Sequence, residues 1–139
     1  KNSHNNLRSK CKRIIIAEHS LKRDYALFLV SPRAHSRLLI SNQKNILEGE
    51  TIQIYSHPRK RPLEWSQWCK INKKSKGKSN SQLTYKCDTE AGSSGAAVLD
   101  INNNIIAIHN HYIRIDNING GTFISKTPII STLKKLLNN

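Results

Sequence analysis

Short runs of branched and aromatic residues, separated by polar turns, fill residues 51–124 of this sequence. Residues 51–55 alternate polar and apolar side chains, as expected for a strand with one buried face. Five more runs follow, at residues 63–71, 82–87, 96–99, 105–109 and 122–124. Turn-forming residues separate them, at Glu48-Gly49, His57-Pro58, Lys76-Gly77, 102–104 and 119–121. Many short strands with polar turns predict an antiparallel, all-β fold of barrel or sandwich type.

The two ends of the sequence have different patterns. Residues 1–13 are polar and predict a loose arm, whereas residues 14–16 and 25–30 predict two strands. The second strand is expected to end at Ser31-Pro32, because proline has no N–H to donate to a sheet. From residue 129 onward apolar side chains recur at helical spacing, with Thr127 and Pro128 suited to the helix start. A terminal amphipathic helix is therefore expected to pack on the β-structure.

The sequence is strongly basic, with 23 Lys and Arg against nine Asp and Glu among 139 residues and a formal net charge of +14. This excludes an acidic disordered tail and allows an anionic surface, a nucleic acid or an acidic substrate as partner. The basic runs at 59–61 and 70–78 fit solvated turns, and sparse aromatic residues argue against nucleic acid. No apolar run reaches the roughly 18 residues of a membrane span.

Residues 87–98 carry the most informative motif, Cys-Asp-Thr-Glu-Ala-Gly-Ser-Ser-Gly-Ala-Ala-Val. A serine between glycines at a bend can be exposed, and the N–H groups of Gly92 and Ser94 can point towards one developing negative charge. The glycines allow unusual dihedrals and a close approach by a substrate backbone. Taken alone, Gly-x-Ser-Gly is a weak signal and is more typical of a turn without chemistry.

This motif resembles the nucleophile segment of the chymotrypsin-fold serine proteases, particularly the bacterial trypsin-like and glutamyl endopeptidase group. Residues 50–58, 105–109 and 119–124 resemble the flanking strands of that group, so the likeness covers about residues 48–137. It implies a chymotrypsin-like antiparallel Greek-key β-barrel with a C-terminal helix and an incomplete first barrel. It also implies Ser94 as nucleophile, an oxyanion hole of Gly92 and Ser94 N–H groups, and no cofactor or metal.

Two departures from the family pattern are visible. Ala96-Ala97 stands where Ser-Pro or Gly-Pro is usual, which is a mild packing change. Ser93 replaces the acidic residue of the animal enzymes. The second departure suggests that activation does not use a buried ion pair between that acid and a new N-terminus.

The acid and the base of the implied triad have unequal support. Residues 23–30 resemble the Asp-x-Ala-Leu strand of the family, which implies Asp24 as the orienting acid. No segment resembles the one that carries the family's histidine; His4 lies too near the start, and His19 fits a solvated turn residue. The chain also lacks methionine and starts at Lys1. We therefore expect a missing N-terminal segment, separate or removed, to supply the histidine.

The expected missing N-terminal segment leads to a prediction of the domain boundaries and of the activity. Residues 1–31 are expected to be a remnant of the N-terminal barrel, and residues 32–139 to form a linker and the C-terminal barrel. The function implied is a serine endopeptidase acting on polypeptides, with this fragment inactive alone. The alternative is a non-catalytic, protease-like module that binds an anionic partner through its basic surface.

The resemblance also suggests a specificity pocket. Thr89 and His109 fall where glutamate-specific members place the groups that receive a substrate carboxylate, which favours acidic residues before the cut. Asp88 falls where trypsin-like members place the carboxylate for Arg or Lys, so a basic preference stays open. A core histidine bonded to backbone is the other interpretation of His109. His111 and Tyr112 follow on the same strand without an assigned role.

The three cysteines predict one disulfide. Cys69 and Cys87 lie on consecutive predicted strands around a lysine-rich hairpin, and a bridge there would contribute about 3 kcal/mol in the chain-entropy model. Their spacing is unlike a zinc site. Cys11 is then left over, and either its partner lies in the missing segment or it is a free thiol. A disulfide implies an oxidising compartment, so a secreted or periplasmic protein is expected.

Overall fold

A computed structural model describes residues 9–20, 22–33, 36–72 and 81–138 of the chain. Within them the chain is mostly β, as the sequence predicts, with one α-helix near the C-terminal end; the predicted turn at Lys76-Gly77 lies outside the described residues. The strands are β1 (Lys10–His19), β2 (Asp24–Ser31), β3 (Thr51–Ser56), β4 (Glu64–Trp65), β5 (Cys69–Lys70), β6 (Gln82–Tyr85), β7 (Ala97–Asp100), β8 (Ile105–Ile113) and β9 (Ile118–Phe123), and the helix is α1 (Ile129–Leu137).

Strands β1 and β2 form a separate two-stranded antiparallel sheet. Their register runs from the His19–Asp24 pair beside the turn to the Lys10–Ser31 pair at the far end. Residues 10–13, predicted to belong to a loose arm, are therefore strand, and that prediction was wrong. Their polar side chains carry no strand signal; the backbone pairing with β2 determines their conformation, since tertiary context overrides local preference in sheets.

The other strands form one antiparallel sheet in the order β4-β3-β7-β8-β9-β6, with β5 also pairing with β3. A bridge between Ile71 and Tyr85, and a hydrogen bond from the N–H of Asn72 to the carbonyl of Thr84 at 2.7 Å, join the end of β5 to β6. The sheet therefore curls back on itself. It encloses a core of Ile52, Ile54, Cys69, Ile71, Tyr85, Cys87, Val98, Ile106 and Ala107.

Strand β9 includes residues 119–121, which the Asn-Gly-Gly sequence predicted as a turn. Both glycines serve close packing within the sheet instead. The ring of His111 occupies the space that a Cβ on Gly120 would need. A Cβ on Gly121 would lie 2.7 Å from the carbonyl oxygen of Ile108. Glycine is required here by the neighbouring strand and not by a change of chain direction.

Two other predicted runs have different bounds in the structure. The run predicted at 63–71 is divided into β4 and β5, with Gln67 between them at a φ of +60°. This left-handed backbone conformation is incompatible with a continuous strand. The run predicted at 105–109 extends to Ile113, because β8 pairs with β9 along this length.

A second apolar cluster joins β2, the sheet and α1. Tyr25, Ile124 and Ile129 are buried in it, and burial of such side chains contributes about 1.5–3 kcal/mol each. The N-cap of the helix is Pro128, without a side-chain cap and one residue later than predicted; the Oγ1 of Thr127, just before it, accepts the N–H of Ile129 at 3.3 Å. The β1–β2 sheet is thereby tied to the strands that carry the serine motif. Around the cluster pack Ile16, Ile40, Ile105, Ile108, Ile130 and Leu133.

The predicted disulfide is confirmed. Cys69 and Cys87 form a disulfide across 18 residues of chain, and Cys11 is free and exposed on β1.

Among the helices of the described residues, none has the length and apolar character needed to cross a membrane.

Candidate active site

The turn between residues 91 and 96 places two consecutive serines in opposite environments. Gly92 and Gly95 have φ angles of +98° and +89°, which L side chains rarely adopt. Between them Ser93 is buried, and its hydroxyl lies 3.0 Å from the hydroxyl of Ser56 on β3. Ser94 is exposed. The two glycines therefore turn one hydroxyl into the protein and present the next one to solvent.

Two backbone N–H groups of this turn are available for a ligand. The N–H groups of Ser93, Gly95 and Ala96 donate to backbone carbonyls at 2.7–3.1 Å. In the part of the chain that the structure describes, the N–H groups of Gly92 and Ser94 donate to no protein acceptor. These are the two donors that the sequence analysis assigned to an oxyanion hole, and such a hole needs donors that the protein itself leaves unused.

A cavity of about 610 Å³ opens on one side of Ser94. The predicted pocket residues Asp88, Thr89 and His109 all line it, together with His111 and Tyr112. The carboxylate-bearing Asp88 is exposed, whereas the imidazole of His109 is buried. The structure therefore brings the proposed nucleophile and all three specificity candidates to one cavity.

Two residues that the sequence analysis left unassigned organise this cavity. Asn119 on β9 accepts the hydroxyl proton of Thr89 at 2.8 Å and donates its amide to the carbonyl of Cys87 at 2.6 Å. The hydroxyl of Tyr85 on β6 lies 2.8 Å from Nδ1 of His109. Asn119 thereby fixes the side chain of Thr89, and Tyr85 fixes the ring of His109.

Burial and the neighbouring His111 lower the pKa of His109 from 6.5 to about 4, so the imidazole is neutral near pH 7. Burial also raises the pKa of Tyr85 well above its usual value, so the phenol keeps its proton. A phenol that donates to Nδ1 leaves the imidazole proton on Nε2. The pair can therefore offer a neutral N–H donor to a ligand in the cavity.

A second cavity of about 580 Å³ is also lined by Ser94, and it includes Asp24 and His19. Nδ1 of His19 lies 3.3 Å from Oδ1 of Asp24, with the two side chains 91% and 45% exposed. The backbone of Asp24 is held by Thr122, whose hydroxyl accepts its N–H at 2.9 Å and donates to its carbonyl at 3.1 Å. Thus the structure brings Asp24 to the cavity of Ser94. His4 lies outside the described residues.

Comparison with known proteins identifies the family of the chain. The family model for the trypsin-like peptidase domain matches residues 3–108, which include Asp24 and Ser94. A search of the curated proteins found no match.

Solved structures resemble the chain at low sequence identity. A Glu endopeptidase is 22% identical, with a TM-score of 0.69 over 86% of this chain and 57% of that one. The active form of the Rv3671c protease from M. tuberculosis is 14% identical, with a TM-score of 0.66 over 88% and 57%. Tobacco etch virus protease, solved with product, is 15% identical, with a TM-score of 0.55 over 81% and 51%.

The chain spans between about half and two thirds of the length of the structures that it matches. Its antiparallel sheets and closing helix have the chymotrypsin-like fold that the motif implied. The family match covers well over half of the 139 residues. The chain therefore belongs to the trypsin-like peptidase domain family.

Proposed function

We propose that this chain carries the nucleophile of a serine endopeptidase, which hydrolyses peptide bonds through an acyl-enzyme. One observation carries the proposal: an exposed Ser94 lines two cavities, beside two N–H groups that have no acceptor in the described part of the protein. Unpaired N–H donors next to an exposed hydroxyl are the arrangement that an oxyanion hole beside a nucleophile requires.

The proposed chemistry follows from this geometry. Ser94 Oγ attacks the carbonyl carbon of the scissile bond while a histidine base takes its proton. The N–H groups of Gly92 and Ser94 bind the resulting oxyanion, and the protonated histidine then gives its proton to the leaving amine. Water, activated by the same base, attacks the ester carbonyl and releases Ser94.

Asp24 is proposed as the acid that orients the histidine, because its carboxylate lines the same cavity as Ser94. We propose that the base comes from an N-terminal segment outside this chain, so that the chain alone is inactive. Residues 1–31 would then belong to the first barrel and residues 32–139 to the linker and second barrel. His4 and His19 are the competing bases within the chain, and His19 is the one already paired with Asp24.

The cavity on the other side of Ser94 is proposed to receive an acidic side chain before the cut. A neutral His109 supplies an N–H donor. The hydroxyl of Thr89 gives up its hydrogen bond to Asn119 and donates to the substrate carboxylate instead. Lys86 adds a positive charge to the lining, while Asp88 and Glu90 oppose it. Binding through directed hydrogen bonds in a partly dry pocket can outweigh that opposition. In the alternative, Asp88 receives Arg or Lys.

Labelling with an alkyl fluorophosphonate tests the nucleophile. We expect stoichiometric modification of Ser94 once the N-terminal segment is supplied, and none in Ser94→Ala. Ser93→Ala is the matched control, because its hydroxyl is buried against Ser56 and should not react. No labelling of the complete, folded protein would refute the enzyme and leave the non-catalytic module, whose support is the net charge of +14.

Histidine variants then locate the base. If an added segment supplies it, His4→Ala and His19→Ala keep the labelling rate, and the chain alone is unlabelled. If the chain alone is labelled and one variant abolishes the labelling, that histidine is the base and the missing-segment proposal is wrong.

Cleavage of a peptide library tests the pocket. Acidic residues before the cut are expected, and Thr89→Val should weaken the preference by removing the hydroxyl donor. A basic preference would assign the pocket to Asp88.

The disulfide supports an oxidising compartment, and we propose a secreted or periplasmic site of action.

A further inference from the structure

Two arginines and two glutamates form a network beside the turn that carries Ser94. Oε2 of Glu90 accepts from Nε of Arg59 at 2.6 Å, and its Oε1 accepts from Nη2 of Arg61 at 2.6 Å. Arg61 also binds both carboxylate oxygens of Glu64, at 2.6 and 3.0 Å. Glu90 therefore bridges two guanidinium groups that belong to one short loop.

The loop of these arginines packs directly behind the turn. The N–H of Arg59 donates to the carbonyl of Ala91 at 2.8 Å. A Cβ on Gly92 would lie 3.0 Å from the nitrogen of Arg59 and 3.3 Å from the carbonyl oxygen of His57. The backbone of the loop is thus in contact with the residue that supplies one of the two unpaired N–H groups.

The same loop has an unusual backbone, which its surroundings must maintain. Arg59 and Lys60 have φ angles of +48° and +63°, a region that non-glycine residues enter at a cost. Such conformations persist where neighbouring contacts determine them. The bridges to Glu90 and the hydrogen bond to Ala91 are contacts of this kind. The loop and the turn therefore stabilise each other's backbone conformation.

The network stays charged near neutral pH. The hydrogen bond from Arg61, and then the charge of Arg59, lower the pKa of Glu90. The hydrogen bond from Arg61 likewise lowers the pKa of Glu64. By contrast, the buried contact of the turn with β3, between Ser93 and Ser56, is uncharged.

We propose that Glu90, held by Arg59 and Arg61, is a positioning residue that fixes the Gly92 and Ser94 N–H groups in the geometry of an oxyanion hole. The inference rests on the proposed function of Ser94. Glu90 lines the cavity beside Ser94, but its carboxylate binds Arg59 and Arg61, and it acts through the loop behind the turn.

The exposure of these side chains indicates which property they control. The side chains of Arg59, Arg61 and Glu90 are 69%, 38% and 36% exposed. Ion pairs this exposed add little to the stability of a fold, because solvent screens them. Catalysis is more sensitive, since a displacement of about 1 Å can reduce a rate about 100-fold. The network should therefore affect turn geometry and reaction rate more than global unfolding.

Glu90→Gln is the test variant, and Glu48→Gln, which removes one exposed carboxylate from a distant turn, is the matched control. The first readout is hydrogen exchange of the hydrogen-bonded amides in residues 90–96, which are those of Ser93, Gly95 and Ala96. The second is the rate of fluorophosphonate labelling of Ser94 with the N-terminal segment present. Its dependence on probe concentration gives the maximal rate and the half-saturating concentration. An alkyl probe is chosen because it places no charged group in the pocket.

We expect Glu90→Gln to speed exchange in residues 90–96 about five-fold, because an exposed ion pair contributes little free energy and its loss has a small effect. Exchange in the other strands, and exchange in the Glu48→Gln control, should not change. The maximal labelling rate should fall roughly 10- to 100-fold at an unchanged half-saturating concentration. A change in half-saturating concentration alone would overturn the inference, because it would indicate a binding role.

Two further outcomes separate this inference from the proposed function. If wild type is labelled and Glu90→Gln matches it in rate and exchange, the inference is wrong and the proposed function stands. If wild type is never labelled, the proposed function is wrong. The positioning role is then wrong as well, even if exchange in residues 90–96 is faster in Glu90→Gln. Faster exchange throughout all strands would also overturn the inference, since it would indicate a general stabilising role.

Discussion

Protonation of the buried His109 should make the fold sensitive to mild acid. Its pKa is lowered from 6.5 to about 4, mainly by burial and then by His111. Above pH 6.5 the imidazole is neutral in both states and has no effect on stability. Between pH 6.5 and 4 the unfolded chain binds a proton that the folded chain does not, so unfolding becomes more favourable as pH falls.

The magnitude follows from the shift. Each pKa unit corresponds to about 1.4 kcal/mol, so a shift of this size removes about 3 kcal/mol of unfolding free energy by pH 4. The imidazole is almost fully buried, so solvent screening reduces this figure little. Burial also lowers the pKa of His111, with a smaller opposing effect from Asp24, and this histidine should add a loss of the same sign.

Urea unfolding followed by circular dichroism, at pH values from 7.5 to 4, measures the effect. Wild type should lose about 3 kcal/mol more than His109→Gln over this range. His19→Gln, which changes an exposed histidine, is the control and should follow wild type. Parallel curves for wild type and His109→Gln would refute the reasoning, because the acid sensitivity would then come from other groups.

Four further variants test the packing around the site. Removing the disulfide in a Cys69→Ala, Cys87→Ala double variant should lower the unfolding free energy in urea by about 3 kcal/mol, and equal stability of both proteins would contradict this. Gly92→Ala should cost about 2 kcal/mol, because its φ is +98° and its Cβ meets the neighbouring loop, whereas Gly95→Ala has open space and should cost about 1 kcal/mol by thermal unfolding; the reverse order would contradict the packing argument. Tyr85→Phe should cost roughly 1–3 kcal/mol by leaving a buried imidazole nitrogen unpaired, and a neutral result would refute that hydrogen bond.

Much of the fold could be predicted because its determinants are local. Branched residues with period-two alternation identified β3, and the proline after Ser31 ended β2. Thr127-Pro128 identified the start of α1 to within one residue for the same reason, since the signals of a helix start lie in neighbouring residues. The disulfide between Cys69 and Cys87 followed from consecutive strands.

Features that depend on contacts between distant strands could not be predicted. Residues 119–121 have the composition of a turn, and only the ring of His111 and the carbonyl oxygen of Ile108 explain why glycines are needed in a strand. The pairing of Tyr85 with Asn119 across β6 and β9 is set by sheet register, which this sequence does not specify locally. The same holds for the site: the motif pointed to Ser94, whereas the residues that fix its pocket come from other strands.

The central claim is that Ser94 is the nucleophile of an endopeptidase. Trapping the acyl-enzyme tests it most directly: the complete protein is mixed with an activated glutamyl ester, quenched in acid and mapped by peptide mass spectrometry. The account predicts one added acyl group on the peptide that contains Ser94, and none in Ser94→Ala. An acyl group on another residue, or no adduct in a protein that is folded and complete, would contradict it.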